Sequence, residues 1–317
     1  MSDADNSGFC YHMPLPLFAS VMGLSGLAMV WHAAETHWQL APVISGLSTL
    51  AAALVFMLLA AAYGCKWLRY PERVMAELRH PVRINFLPAI SINLILLSLL
   101  FEPWLPPLAT VLWMAGAAAQ LVLTIAIVTV WLETERPLPS LNPAWFIPAV
   151  GNILVPLAAA PAGYPLLGWF FMATGLFFWG ILITLVFYRL VTGPQLEPPM
   201  RPTLAVMLAP PSVGFSAWLA LTDTIGIPGY LLYFIAVLTF LLLLPQVPGF
   251  LRLPYFPSWW AYTFPVAAFT AASFQFSAAE PVAAGFVLAL LVIVASGVIL
   301  LVAARTVMAI VRGELAE

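Results

Sequence analysis

The sequence predicts an all-α integral membrane protein: ten transmembrane helices, paired as five parallel helical hairpins in a single transmembrane domain over 1–317. Three observations carry this reading: the scarcity of charge, the one-sided placement of the basic residues, and a proline that recurs once per hairpin. Of the 317 residues 8% are charged and 63% hydrophobic, with a mean hydropathy of +1.02, whereas a soluble domain carries about 25% charged residues. So few polar groups do not cover a water-facing surface, which excludes a soluble enzyme and a disordered chain. A formal net charge of −2 offers no basic footprint for nucleic acid. The solvent is the lipid bilayer.

A helix crosses the hydrocarbon core with roughly 20 apolar residues, and uncharged intervals of about that length follow one another along the chain. The first 13 residues hold two Asp and no Lys or Arg. The basic region of a cleavable signal is missing, and the first apolar stretch, approximately 14–34, reads as a retained helix. Segments 40–65, 83–101 and 107–132 follow, each between charges. The uncharged interval 137–188 is too long for one crossing and is broken at Pro161, Gly163 and Pro165. It yields 143–160, with Asn142 as its cap and Pro143 in its first turn, and 165–189. Segments 202–222, 227–247, 257–278 and 281–305 complete the ten.

With these boundaries all eleven basic residues, from Lys66 to Arg312, fall in connections on one side. The opposite loops carry Glu35, Glu102, Asp223 and Glu280 and no Lys or Arg. The positive-inside rule places the basic loops and both termini in the cytoplasm, in the plasma (bacterial inner) membrane. Trp31, Trp38, Trp67, Tyr70, Tyr164, Trp169, Tyr255, Trp259 and Trp260 gather near helix ends, where such rings serve as interfacial anchors.

Proline supplies the repeat. Each odd-numbered helix holds one in its cytoplasmic half, Pro16, Pro88, Pro148, Pro210 and Pro265, at spacings of 72, 60, 62 and 55 residues, about one hairpin each. An interior proline removes a hydrogen bond and bends the axis, and in lipid the freed carbonyl needs another partner. Five such defects at one depth belong on a common interior. The odd helices also hold the small and weakly polar residues, so Ser20, Gly23, Ser91, Asn93, Gly151, Asn152, Ser212, Ser216, Thr263 and Ala268 are candidate lumen-lining positions. Close helix packing explains each small residue taken singly; their parallel recurrence favours a lumen. The even helices, rich in Leu, Val, Ala and Phe, read as an outer layer.

The chemistry inventory is short. The single lysine, Lys66, sits in no phosphate-binding loop, and no nucleophile-elbow or His-Glu-x-x-His motif occurs. No catalytic residues, cofactor or metal site are expected. His12, His32, His37 and His80 lie near membrane boundaries and Cys10 and Cys65 stand alone, so solvated histidines and unpaired thiols are the reading. No ionisable residue falls deep in a span. Ion-coupled carriers usually hold such residues in the bundle, and cation pores carry acidic rings. A neutral lumen suits passive conduction.

Four strings, LRHPVRINFLP (Leu78 to Pro88), NPAWFIPAVGN (Asn142 to Asn152), LEPPMRPTLAVMLAPPSVGFSAW (Leu196 to Trp218) and SWWAYTFP (Ser258 to Pro265), carry a resemblance. The chain resembles the tellurite-resistance/dicarboxylate transporter family, which includes bacterial TehA and the plant guard-cell slow anion channels. The resemblance implies odd helices set with quasi-five-fold symmetry around a central pore, and a homotrimer with one pore per subunit. It also implies an aromatic gate on the ninth helix, matched here by Phe264 immediately before Pro265. The expected function is a passive channel for small inorganic anions of the chloride or nitrate type. The family names keep open a C4-dicarboxylate (malate) carrier or a tellurite-efflux protein.

Overall fold

The computed structural model describes residues 9–135, 140–280 and 285–312, apart from the side chains of Phe9 and His12; Arg136 and residues 281–284 lie outside them. Among the described residues there are helices and no strand. The α-helices are α1 (Phe9–His12), α2 (Ala19–His37), α3 (Val43–Arg69), α4 (Pro71–Arg79), α5 (Ala89–Phe101), α6 (Pro106–Glu133) and α7 (Phe146–Val150). They continue as α8 (Val155–Ala159), α9 (Pro165–Thr192), α10 (Ala209–Thr222), α11 (Gly226–Leu243), α12 (Val247–Phe250), α13 (Thr263–Ala279) and α14 (Gly285–Val311).

Counting the 3-10 turns that extend some of them, eight stretches are long and apolar enough to cross a membrane. They are Leu15–His37, Val43–Arg69, Arg83–Phe101, Pro106–Glu133, Pro165–Thr192, Pro198–Thr222, Gly226–Phe250 and Gly285–Val311. Pro143–Ala159 is apolar and shorter, and 257–279 is helical too. The chain is an integral membrane protein.

The prolines act differently from the simple kinks expected. Each lies at or beside a joint where a 3-10 run gives way to α-helix. Pro16 stands in the run Leu15–Phe18 ahead of α2, and Pro88 caps α5 after Arg83–Phe86. Pro148, Pro210 and Pro265 occupy the first turns of α7, α10 and α13, after Pro143–Trp145, Pro198–Leu208 and Pro257–Tyr262. An N–H at these joints donates to the preceding 3-10 run, as those of Phe146, Ala209 and Thr263 do, so each proline removes one donor at the joint and none deep within the α-helix. The run Pro198–Leu208 reaches 11 residues, where three or four is usual.

Burial divides the stretches into two layers. The best crossing window is 72%, 61% and 56% buried in Leu15–His37, Arg83–Phe101 and Pro198–Thr222, against 17% to 33% in the other five. The exposed large apolar side chains fall mainly on α3, α6, α9, α11 and α14, as with Leu58, Val122, Phe177, Leu231 and Ile293. None belongs to 15–37, 83–101, 143–159, 198–222 or 257–279. Outer helices with apolar faces all round suit lipid contact. Each inner element packs on the outer helix that follows it: α2 on α3, α5 on α6, α8 on α9, α10 on α11 and α13 on α14.

Three details depart from the sequence reading. The long basic connection contains the amphipathic helix α4, and α3 runs on to Arg69 and so carries Lys66 inward. Lys66 and Glu77 of α4 are buried and paired at 2.9 Å. Glu35, assigned above to an exposed loop, is buried in the last turns of α2. Its carboxylate accepts from the amides of Ile44 (2.8 Å) and Ser45 (3.1 Å) and from the Ser45 hydroxyl, placing negative charge at the positive end of α3. Trp259 and Trp260, read as surface anchors, are core residues at 5% and 3% exposure. The indole N–H of Trp260 donates to Thr306 at 2.9 Å.

Removing one partner of a buried ion pair leaves the other charge uncompensated, at a cost of about 3–5 kcal/mol. Lys66→Met should therefore lower the melting temperature in detergent sharply. The double change Lys66→Met with Glu77→Leu should recover most of the loss. An unchanged melting point in the single variant would remove the pair from any account of how α4 is held.

Candidate functional site

The inner elements enclose a line of cavities. The inner cavity, about 80 Å³, has Ala19 and Met22, Phe86 and Ile92, Val150 and Gly151, Ala209 and Pro210, and Phe264 and Pro265 in its wall. All five inner segments thus contribute to its wall, and α3, α6, α9, α11 and α14 contribute nothing. The wall is formed largely by the 3-10-to-α joints, because the prolines bring the beginnings of these helices together.

A second cavity of about 20 Å³ lies among Gly26, Met29, Leu157, Ser216, Ala268 and Ala271. Met29, Leu157, Ser216 and Ala271 also line a third, of about 750 Å³, which is bordered by the last turns of α2, α5, α10 and α13 at His32, Leu100, Ala220 and Gln275. First turns meet at one cavity and last turns at the other.

Phe264 is common to the walls of the first and second cavities and only 5% exposed. It belongs to the first turn of α13 beside Pro265, and Gly26 of α2 faces it. A Cβ at Gly26 would stand 2.7 Å from Ala267 Cβ and 3.6 Å from the Phe264 ring, so only glycine lets α2 close on α13 here.

No Asp, Glu, Lys or Arg lines any of the three cavities. The first is almost wholly apolar. It has room for several waters, yet each would need two to four polar partners, and apolar cavities of even about 150 Å³ stay dry. An ion entering it would forfeit hydration without replacement. Polar groups begin at Ser216, whose hydroxyl donates to Gln275 Oε1 at 2.6 Å, and continue outward with Ser45, Thr49 and His32.

Of the small and polar residues singled out in the sequence, Gly151, Ser216 and Ala268 border these cavities, as do Pro210 and Pro265. The remainder make contacts between helices. The Asn93 amide donates to the Phe18 carbonyl at 2.8 Å, and Gly23 packs against Thr263 and Trp260. The hydroxyls of Ser212 and Thr263 return to their own backbone at Leu208 and Trp260, both at 2.7 Å. Ser20 is buried beside the α2 joint, while Pro16, Pro88 and Pro148 stand behind the cavity wall.

One polar network was missed in the sequence because it starts on an outer helix. Gln120 of α6 is fully buried. Its Nε2 donates to the Pro148 carbonyl at 2.9 Å and its Oε1 accepts from Ser91 at 2.7 Å. Thr124, one turn on, donates to the same carbonyl at 2.7 Å and accepts from Asn152 at 2.9 Å. The network fixes the α7 joint, whose Gly151 borders the cavity. A lone Gln in an apolar helix, followed by Thr one turn later, was the available signal.

Residues 12–307 match the family model described as voltage-dependent anion channel. The chain belongs to this family. It is 27% identical over 277 residues to the S-type anion channel SLAH2 of Arabidopsis thaliana, covering 85% of this chain and 53% of that protein. It is 27% identical over 282 residues to an uncharacterized transporter of Methanocaldococcus jannaschii, covering 81% and 82% of the two chains. It is 30% identical over 213 residues to the tellurite resistance protein TehA homolog of Haemophilus influenzae, covering 67% and 65%. The chain spans about half the length of plant relatives such as SLAH2. The family is therefore the one that the four sequence strings pointed to, and these relatives are named as channels or transporters.

Replacing Gln120 by Leu should destabilise the protein by about 1–3 kcal/mol, because it takes one donor from the Pro148 carbonyl and one acceptor from Ser91. A melting curve in detergent checks this, with Gln120→Glu as a comparison of the same shape. A second test concerns the turn ahead of Arg83–Phe86. His80 Nδ1 accepts from the amides of Val82 (3.2 Å) and Arg83 (3.3 Å). Partial desolvation, then the charge of Arg83, hold its imidazole below the ordinary value. With the folded pKa below the unfolded value of about 6.5, the neutral ring's contribution is complete above that pH and is lost as pH falls through the folded value. Protection of the Val82 and Arg83 amides, taken relative to the intrinsic exchange rate at each pH, should fall on acidification, and His80→Ala should abolish that dependence.

Proposed function

We propose that this protein is a passive channel for small monovalent anions of the chloride or nitrate type, gated by Phe264. The observation that carries this reading is the position of Phe264 in the shared wall of two cavities, the inner one bounded by all five inner segments and by none of the outer ones. On this reading the line of cavities is the pore. The inner stretches run parallel as five proline-jointed helices with quasi-five-fold symmetry, and the outer helices return the chain, giving ten crossings in five hairpins. Both termini face the cytoplasm of the bacterial inner membrane, as the placement of the basic residues argues. The assembly is a homotrimer with one pore in each subunit, as the family resemblance implies.

The uncharged lining sets the mechanism. With no fixed charge to bind an ion tightly, permeation follows dehydration cost, and larger monovalent anions pass more readily than small ones. The phenyl ring and the dry cavity beside it form a hydrophobic constriction that blocks conduction until it is wetted. The names of the plant relatives support the anion assignment. The Haemophilus relative's name, tellurite resistance protein TehA homolog, supports a second reading, tellurite efflux by the same path; the family resemblance adds a C4-dicarboxylate carrier.

The test is current across a planar bilayer under a chloride gradient. Displacing a buried phenyl ring costs about 1.5–3 kcal/mol, so Phe264→Ala should raise the current by roughly tenfold to a hundredfold, with an anion-selective reversal potential. A cation-selective potential would sink the anion assignment. Unchanged current in a folded Phe264→Ala protein would sink the gate. Silence from both proteins, with saturable malate uptake and counterflow in liposomes, would establish the carrier.

A further inference from the structure

Two thiols that stand 55 positions apart in the sequence meet in the fold. Helix α1 packs against α3, and Cys10 joins the apolar cluster that contains Ala62 and Tyr63. Cys10 and Cys65 lie near enough to influence each other; both are free and partly exposed. Neighbouring contacts hold the same segment in place. Lys66 Nζ donates to the Met13 carbonyl at 2.8 Å, the Arg73 guanidinium lies 4.1 Å from the Tyr11 ring, and Tyr11 meets Tyr70 edge-on at 5.0 Å. A few residues later the chain enters α2, whose Ala19 and Met22 border the inner cavity.

We propose that Cys10 and Cys65 are a redox-modification site, a reversible disulfide that latches the segment ahead of the first membrane helix to the end of α3. The contacts of Met13 with Lys66 and of Tyr11 with Tyr70 bracket the two cysteines, so the packing of α1 on α3 brings both thiols to one place, as a disulfide requires. Their partial exposure admits a low-molecular-weight disulfide, RSSR, as the oxidant. One cysteine loses its proton and its thiolate attacks a sulfur of RSSR, releasing RS⁻, which is protonated to RSH. The second thiolate then displaces the remaining RS⁻ from the mixed disulfide. In sum, two protein thiols are oxidised to one disulfide and RSSR is reduced to two RSH. The nearby charge of Arg69 favours the thiolate, while the neighbouring Cys65 thiol and burial push the Cys10 thiol up. The reaction therefore quickens as pH rises. The pair lies apart from the cavities, so this proposal is independent of the conducting role.

The test treats the purified full chain in detergent with glutathione disulfide, at neutral and at mildly alkaline pH. Remaining thiols are then alkylated and the peptides mapped by mass. The expected product joins the Cys10 and Cys65 peptides within one chain, two hydrogens lighter than their sum, faster at the higher pH and reversed by dithiothreitol. Amide exchange over residues 11–13 should slow roughly tenfold, as expected when local opening is restrained. Cys10→Ser and Cys65→Ser, each still monodisperse, should lose both effects. Separate glutathione adducts on the two cysteines, links only between copies, or a link that leaves exchange unchanged would each overturn the latch.

Discussion

Backbone hydrogen bonding in lipid is the constraint on which the rest of this structure depends. An unpaired carbonyl in the hydrocarbon region costs several kcal/mol, yet this chain places a proline at the start of each inner element. Two devices reconcile these facts. The prolines stand in or beside the opening turn of an α-helix, ahead of which the chain winds as 3-10 helix, so the donor that each lacks is lost at the joint and not deep within the α-helix. Side chains from neighbouring elements then fill what the joint leaves open, as Gln120 and Thr124 do at the Pro148 carbonyl and Asn93 does at Phe18. Buried donors of this kind tie the α2 joint to α5 and the α7 joint to α6.

That wall is chemically neutral, and neutrality decides what the interior can do. No carboxylate or ammonium group lines any of the three cavities, and the one titratable group on their walls is His32 of the third. The cavity beside Phe264 has the volume to hold water but almost no polar group to bind it. The gate proposed at Phe264 rests on that lack of polar partners.

The charges excluded from the centre organise the ends. Glu35 closes the turn between α2 and α3 by capping the second helix, and the buried Lys66–Glu77 pair pins α4 beneath α3. Arg189 is buried near the end of α9, where it donates to the Pro194 carbonyl at 2.7 Å. These groups are costly to bury and are retained where each has a partner. They fix the connections between helices while leaving the line of cavities uncharged.

Much of this was legible in the sequence because lipid imposes its rules residue by residue. The scarcity of charge, the runs of apolar residues and the one-sided basic loops are local quantities, and they marked the chain as a helical membrane protein, while the small and weakly polar residues of alternate segments marked which of them lie inside. The recurring prolines were equally visible, as was Phe264 through the string in which it stands. Tertiary structure decided the rest, because packing joins residues that no spacing relates. It turned the expected kinks into changes of helix type, and it buried Glu35, Lys66, Trp259 and Trp260, which their places near helix ends had marked as peripheral. Gln120 proved to be the anchor of another helix's joint, since a lone amide in an apolar segment carries no record of which carbonyl it will meet. Cys10 and Cys65 looked solitary for the same reason: they become neighbours only once α1 folds back onto α3.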